Sequence, residues 1–200
     1  IYAETFKDAT ALTNLYIDSD FLGAGFATGK NRIHPDAFLF NPNLKYIWYR
    51  SHKATTGNIT QLFSSNPNLE TIYMEKNAFT GTIPNFQANP NINYINLQNN
   101  SLSGTIPAFS NLRKLGEIYL ESNNLTGIGE VEDLTNLQTY QAPNNQLAGQ
   151  IPSFSGARNL RSLSLRNNKL TSYKVGAFEN LHKINFIDLK FNHLTQTDQD

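Results

Sequence analysis

The chain has 200 residues, 39% of them hydrophobic, 12% aromatic and only 16% charged, a composition that suits one domain or one medium repeat array and excludes disorder. Sixteen basic residues balance sixteen acidic ones, seven against seven in residues 1–100 and nine against nine in 101–200, so there is no basic stripe for nucleic acid. Without cysteine there are no disulfides, thiolate metal sites or cysteine nucleophiles, and no apolar run approaches the roughly 18 residues of a membrane span.

In chain order, residues 1–11 (IYAETFKDATA) read as a short N-terminal cap. A unit then recurs: LTNLYIDSDFL from Leu12, LKYIWYRSHKA from Leu44, LETIYMEKNAF from Leu69, INYINLQNNSL from Ile92, LGEIYLESNNL from Leu115, LQTYQAPNNQL from Leu137, LRSLSLRNNKL from Leu160 and INFIDLKFNHL from Ile184. Asn77, Asn100, Asn123, Asn145, Asn168 and Asn192 mark it at spacings of 23, 23, 22, 23 and 24 residues, with Asp20 and His52 in the same place in the first two units. Those first two units lie 32 residues apart, and the surplus falls in a Gly-rich insertion near residues 23–43, either a binding edge or a tolerated loop. Residues 12–200 therefore form one domain of about eight repeats. No polar cap follows Leu194, so the natural chain is expected to continue or its end to be covered by another chain. A start at Ile1, without Met or a signal-peptide pattern, suggests a processed or excised piece.

The units resemble the leucine-rich-repeat family, whose signature is LxxLxLxxNxL, over nearly the whole chain. FTGTIPNF (79–86), LSGTIPAF (102–109) and LAGQIPSF (147–154) carry the plant-type extension, while YKVGAFENL (173–181) is closer to the typical form. The resemblance implies an α/β solenoid, mostly β and irregular, right-handed, with a parallel sheet on its concave face where ligands bind. Family relatives serve in extracellular receptors and their inhibitors, usually with cysteine-stapled caps. Lacking these, the chain fits a microbial surface protein or an adhesin of a virus or phage.

The residues support that architecture directly. Period-two alternation makes each LxL a short strand with leucines inward and their neighbours in solvent. A buried asparagine can satisfy backbone groups of adjacent turns. Gly81, Gly104, Gly127 and Gly149 allow the next tight turn, and Pro84, Pro107 and Pro152 hold the return segment extended. Phe86, Phe109, Phe154 and Phe178 then stack as an inner spine.

Three outward columns cross the repeats. The first is Asn14, Tyr46, Thr71, Tyr94, Glu117, Thr139, Ser162 and Phe186; the central one is Tyr16, Trp48, Tyr73, Asn96, Tyr119, Gln141, Ser164 and Asp188; the third is Asp18, Arg50, Glu75, Gln98, Glu121, Pro143, Arg166 and Lys190. Tyr16, Tyr46, Trp48, Tyr73, Tyr94 and Tyr119, flanked by Asp18, Glu75, Glu117, Glu121 and Arg50, compose the candidate ligand surface, N-terminal of Gln141. Aromatics beside arginine make interface hot spots and can also stack on sugars, although strand propensity alone favours them too.

No catalytic constellation is present. His34, His52, His182 and His193 are scattered, and GxSxG, GxGxxG and the phosphate loop are missing. Glu130, Glu132 and Asp133 read as a solvated acidic turn. Sequons begin at Asn58, Asn99 and Asn124, the last two generated by the repeat itself. The expectation is a non-enzymatic, cofactor-free recognition module for a protein or glycan at a cell or virion surface, without nucleic acid or membrane insertion. The competing reading is a structural spacer or assembly subunit joined through its C-terminal end.

Overall fold

The computed structural model describes residues 1–2, 4–18, 32–50, 55–131 and 133–195. Eight strands form one parallel sheet: β1 (Asn14–Asp18), β2 (Tyr46–Arg50), β4 (Thr71–Tyr73), β6 (Tyr94–Asn96), β8 (Glu117–Tyr119), β10 (Thr139–Gln141), β12 (Ser162–Ser164) and β14 (Phe186–Asp188), adjacent in that order. Their register aligns each repeat position with its equivalent: Tyr16 pairs with Trp48, Trp48 with Tyr73, Tyr73 with Asn96, Asn96 with Tyr119 and Tyr119 with Gln141. The columns expected from the alternation are thus real rows of side chains. Further strands on a second side, β3 (Thr56–Asn58), β5 (Ala78–Thr80), β7 (Ser103–Ile106), β9 (Asn124–Ile128), β11 (Ala148–Ile151) and β13 (Lys169–Tyr173), pair two by two. No helix occurs among the described residues.

Inward residues of the inner rungs, such as Ile72, Ile95, Ile118 and Leu163, are fully buried, whereas Ile187 in the last rung is 42% exposed. Each rung alone could not cover them; stacking makes one continuous core. The asparagine ladder is what seals one rung to the next. The Nδ2 of Asn100, Asn123, Asn145, Asn168 and Asn192 donates to the carbonyls of Met74, Leu97, Leu120, Ala142 and Leu165 in the rung before, at 2.8–3.1 Å. Their Oδ1 atoms accept the amides of Phe79, Leu102, Leu125, Leu147 and Leu170. The residue just before each ladder asparagine has positive φ: Lys76, Asn99, Ser122, Asn144, Asn167 and Phe191, all between 54° and 57°. That left-handed step turns the chain off the strand, and it explains the doubled asparagines, since asparagine tolerates it best.

Two further ladders lie where the return segment re-enters the sheet. Asn41 donates to Phe6 and Ala9, Asn66 to Phe38 and Asn41, and Asn89 to Phe63 and Asn66. Two residues on, Asn43, Asn68 and Asn91 donate to Thr10, Pro42 and Pro67.

The inner spine differs from expectation. Its rings are Phe6, Phe38, Phe63, Phe86 and Phe109, with centroids 5.9–6.5 Å apart. Val131 occupies the next place and interrupts it, so Phe154 packs on Tyr140 and Phe178 on Tyr173 instead. Gly81, Gly104 and Gly149 have the positive φ required of the turn, whereas Gly127 does not; it faces Thr105 beyond a shift of register. The residue at ladder position 20, the Gly-rich stretch up to residue 31 and His52 lie outside the described residues.

Candidate functional site

On the solvent side of the concave sheet, five of the six expected aromatics form one stack. Ring centroids are separated by 6.2 Å between Tyr16 and Trp48, 5.2 Å between Trp48 and Tyr73, 4.6 Å between Tyr73 and Tyr94, and 5.7 Å between Tyr94 and Tyr119. Tyr94 belongs to the first column, yet its ring lies between two rings of the central one. The central place in its own rung holds Asn96, which is too short to bridge Tyr73 and Tyr119, so the Tyr94 ring leans over to fill the gap. Tyr46 stays out of the stack and points its hydroxyl toward Glu70 at 3.5 Å.

Stacking has a chemical consequence. Tyr73 lies face to face between Trp48 and Tyr94, at interplanar angles of 19° and 17°, so it presents its edge and hydroxyl to a ligand, while Tyr16 and Tyr119 tilt by 48° and 39° against the rings beside them. Tyr94 donates its hydroxyl to that of Tyr73 at 2.7 Å, and Tyr119 donates to Glu117 Oε2 at 2.7 Å. Burial, reinforced by these partners, raises the pKa of Tyr94 and pushes that of Tyr119 up to about 12, so both remain protonated donors. Tyr16 and Trp48 are the most open rings, 64% and 41% exposed.

Beside the stack lies a bowl of about 640 Å³ whose walls include Tyr73, Tyr94, Tyr119, Glu75, Glu121 and Asn96. Its far wall is Gln141 and Ser162, joined by an Nε2 to Oγ bond of 2.8 Å. The bowl therefore extends past Tyr119, the last ring of the stack, to Gln141 and Ser162. Glu75 is held by Asn96 Nδ2 at 3.0 Å, Gln98 Nε2 at 2.7 Å and the Arg50 guanidinium at 3.5 Å. Arg50 thus supports Glu75. Asp18 sits at the edge of the sheet, on the strand that carries Tyr16.

Asn96, Gln98, Thr139 and Gln141 also line the bowl and were not among the sequence candidates, because polar side chains without aromatic character carry no signal until the bowl exists. The other sequence candidates stay apart from the face. His34, His182 and His193 are exposed away from the outward columns. Glu130 pairs with Lys174 at 3.8 Å, and Glu132 is outside the described residues. No group of three or more His, Cys, Asp or Glu suited to a metal ion occurs among the described residues, and no helix there is long and apolar enough to cross a membrane.

Fold and face together define a solenoid repeat protein with an open, ring-lined sheet surface. The chain is a leucine-rich-repeat solenoid: family profiles described as leucine rich repeat match residues 91–112 and 152–194, and solved leucine-rich-repeat structures superpose on it. No curated protein sequence matches it. The leucine-rich-repeat ectodomain of the Arabidopsis thaliana receptor kinase GASSHO1/SCHENGEN3, in complex with CASPARIAN STRIP INTEGRITY FACTOR 2, has 26% identity and a TM-score of 0.74 over 82% of this chain and 20% of its own. The Arabidopsis receptor kinase HAESA, in complex with the peptide hormone IDA and the co-receptor SERK1, has 26% identity and a TM-score of 0.73 over 92% and 31%. A plant ice-binding protein has 25% identity and a TM-score of 0.67 over 82% and 54%. The chain spans about a fifth to two fifths of the first three solved structures it matches. One fold thus carries unlike functions, and the site has to discriminate between them.

Proposed function

We propose that the chain is a non-enzymatic recognition module that binds a protein segment on its concave face, outside the cell. The observation that carries this is the five-ring stack, placed on the solvent side of the sheet beside an open bowl. The core already has its own phenylalanine spine, so the outer rings are not needed to fill it. Hot-spot interfaces use rigid aromatics of this kind, because each buries a large area at a small entropy cost. Receptor ectodomains of the same fold, crystallised with peptide hormones, support a protein ligand and an extracellular location. Tyr73, stacked on both faces, offers its edge and hydroxyl, which suits a peptide meeting ring edges, hydroxyls and amides.

An array of protein ectodomains, peptides and glycans tests the reading with the native chain and a folded Trp48→Ala/Tyr73→Ala variant. A protein or peptide ligand bound by the native chain and lost by the variant is expected. Hits confined to glycans would remove the peptide reading. Hits indifferent to the substitutions would move the function to another surface, such as an assembly contact.

A further inference from the structure

Charge is unevenly balanced across the sheet face in and beside the bowl. Four carboxylates face outward on the third to fifth rungs, and the first two are neutralised: Glu70 pairs with Lys45 at 3.6 Å and Glu75 with Arg50 at 3.5 Å. Glu117 and Glu121 are not. Glu117 accepts only the Tyr119 hydroxyl, and Glu121 only the Asn144 amide at 3.3 Å; among the described residues neither forms an ion pair. Lys114, just ahead of them, is bonded to Asn91 at 2.8 Å. Arg166, two rungs on in the third column, is held by Asp188 at 3.4 Å and lies over the Phe191 ring at 4.4 Å.

The two carboxylates alternate with Tyr119 along one chain segment, so all three project from the same side of the sheet. Tyr119 is also where the stack stops. One face of its ring meets Tyr94, and the next place in the central column belongs to Gln141, so the other face borders the bowl. Here the C-terminal end of the stack leaves a ring face open beside two carboxylates that form no ion pair among the described residues.

We propose that this rung receives an arginine side chain of the bound peptide, with the guanidinium flat against the outer face of Tyr119 and its N–H groups donating to Glu117 and Glu121. An arginine fits this place better than a lysine, because a planar, weakly hydrated guanidinium can stack on a ring and fork toward carboxylates at once. Amides of Gln98 and Gln141 on either side supply partners for the peptide backbone. The inference rests on the concave face being the protein-binding surface and names what that surface selects.

Selection from a random-sequence peptide library on the native chain, with Trp48→Ala/Tyr73→Ala and Glu117→Gln/Glu121→Gln variants of matched melting temperature, separates the two ideas. The expected pool is rich in arginine and absent from the first variant. A synthetic peptide from it should bind Glu117→Gln/Glu121→Gln about tenfold or more weakly, and its citrulline version should lose as much on the native chain. Tyr119→Leu should weaken binding similarly, and Tyr119→Phe, which keeps the ring, should not. A pool without basic residues that still depends on Trp48 and Tyr73 would overturn the arginine subsite and leave the binding face intact. An empty pool, or one indifferent to every variant, would overturn both.

Discussion

Replacing Tyr140 with Phe should make the protein more stable. Tyr140 occupies an inward strand position that holds Ile47, Ile72, Ile95, Ile118 and Leu163 in other rungs, and it is 1% exposed. Its ring is needed: the next inward position is Ala142, where neighbouring rungs have Leu120 and Leu165, and Tyr140 reaches past it to meet Phe154 edge-on at 5.3 Å. Its hydroxyl is another matter, because it is buried without a hydrogen-bond partner. The same burial raises its pKa, the neutral form being the only one such a place tolerates. A buried hydroxyl left unpaired costs about 1–3 kcal/mol, whereas removing it leaves only a gap the size of one oxygen, so Tyr140→Phe should gain about 1–2 kcal/mol. For a chain of this length that is a rise in melting temperature of about 2–8 °C, read by circular dichroism. Tyr140→Leu should instead lose about 2–4 kcal/mol to the cavity above Ala142, and Ala142→Leu should recover part of it. A Tyr140→Phe protein that melts lower than the native chain would refute the reasoning and show that the hydroxyl has a partner, a buried water being the plainest one.

Asn123→Ala removes the bonds to the Leu97 and Leu120 carbonyls and from the Leu102 amide, and should cost about 2–4 kcal/mol in urea denaturation. Asn123→Asp, with the same shape but no donor and a buried charge, should cost at least as much. At Lys76, φ is 55° in a place where three other rungs have asparagine, so Lys76→Asn should stabilise by a few tenths of a kcal/mol to about 1 kcal/mol in the same assay. Alkaline titration followed by tyrosinate absorbance should show Tyr94, Tyr119 and Tyr140 ionising after the ordinary value of 10.0, all three being shifted upward. The sign follows: these raised groups contribute stability that is complete below pH 10 and lost as the pH climbs toward 12, so melting temperature should fall through that window. A melting temperature flat across it would contradict the burial described for these rings.

Much of the fold was legible because one chemical need recurs at a constant interval. A strand that must bury two residues and then turn demands apolar, apolar, asparagine, and six repetitions of that demand, after two units with Asp20 and His52 in its place, determined the register. The asparagines at re-entry were equally periodic, in the NPN triplets at residues 41–43, 66–68 and 89–91, but were masked by the proline between them, which reads as a loop. The site was harder. Column membership predicts where a side chain starts and says nothing of where a long one ends, so Tyr94 crosses columns only because Asn96 is short. Arg50 reads as a free hot-spot cation and is held by Glu75. Val131 ends the inner spine and Gln141 ends the outer stack for the same reason: a stack exists only while each rung supplies a ring, and one substitution stops it.

Rung spacing explains why the outer stack can exist in water at all. Parallel strands in register are about 4.8 Å apart, and offset aromatic pairs favour centroids about 4.5–7 Å apart. A column of aromatics on such a sheet is therefore brought to stacking distance by the backbone, and the observed 4.6–6.2 Å falls within that range. Each ring has two torsions, and its neighbours restrain both before any ligand arrives, so binding has little side-chain freedom left to remove. The arrangement also divides the labour along the column. Trp48 and Tyr73 hold the stack in place, while Tyr119, at its end, offers the open face. Substitution of Trp48 should then weaken an arginine-bearing peptide in part by loosening Tyr119, without contact between Trp48 and the arginine. In a double-mutant cycle the loss caused by Trp48→Ala should shrink once Tyr119 is already Leu. Strict additivity would mean that the two rings touch the ligand independently and that the stack transmits nothing.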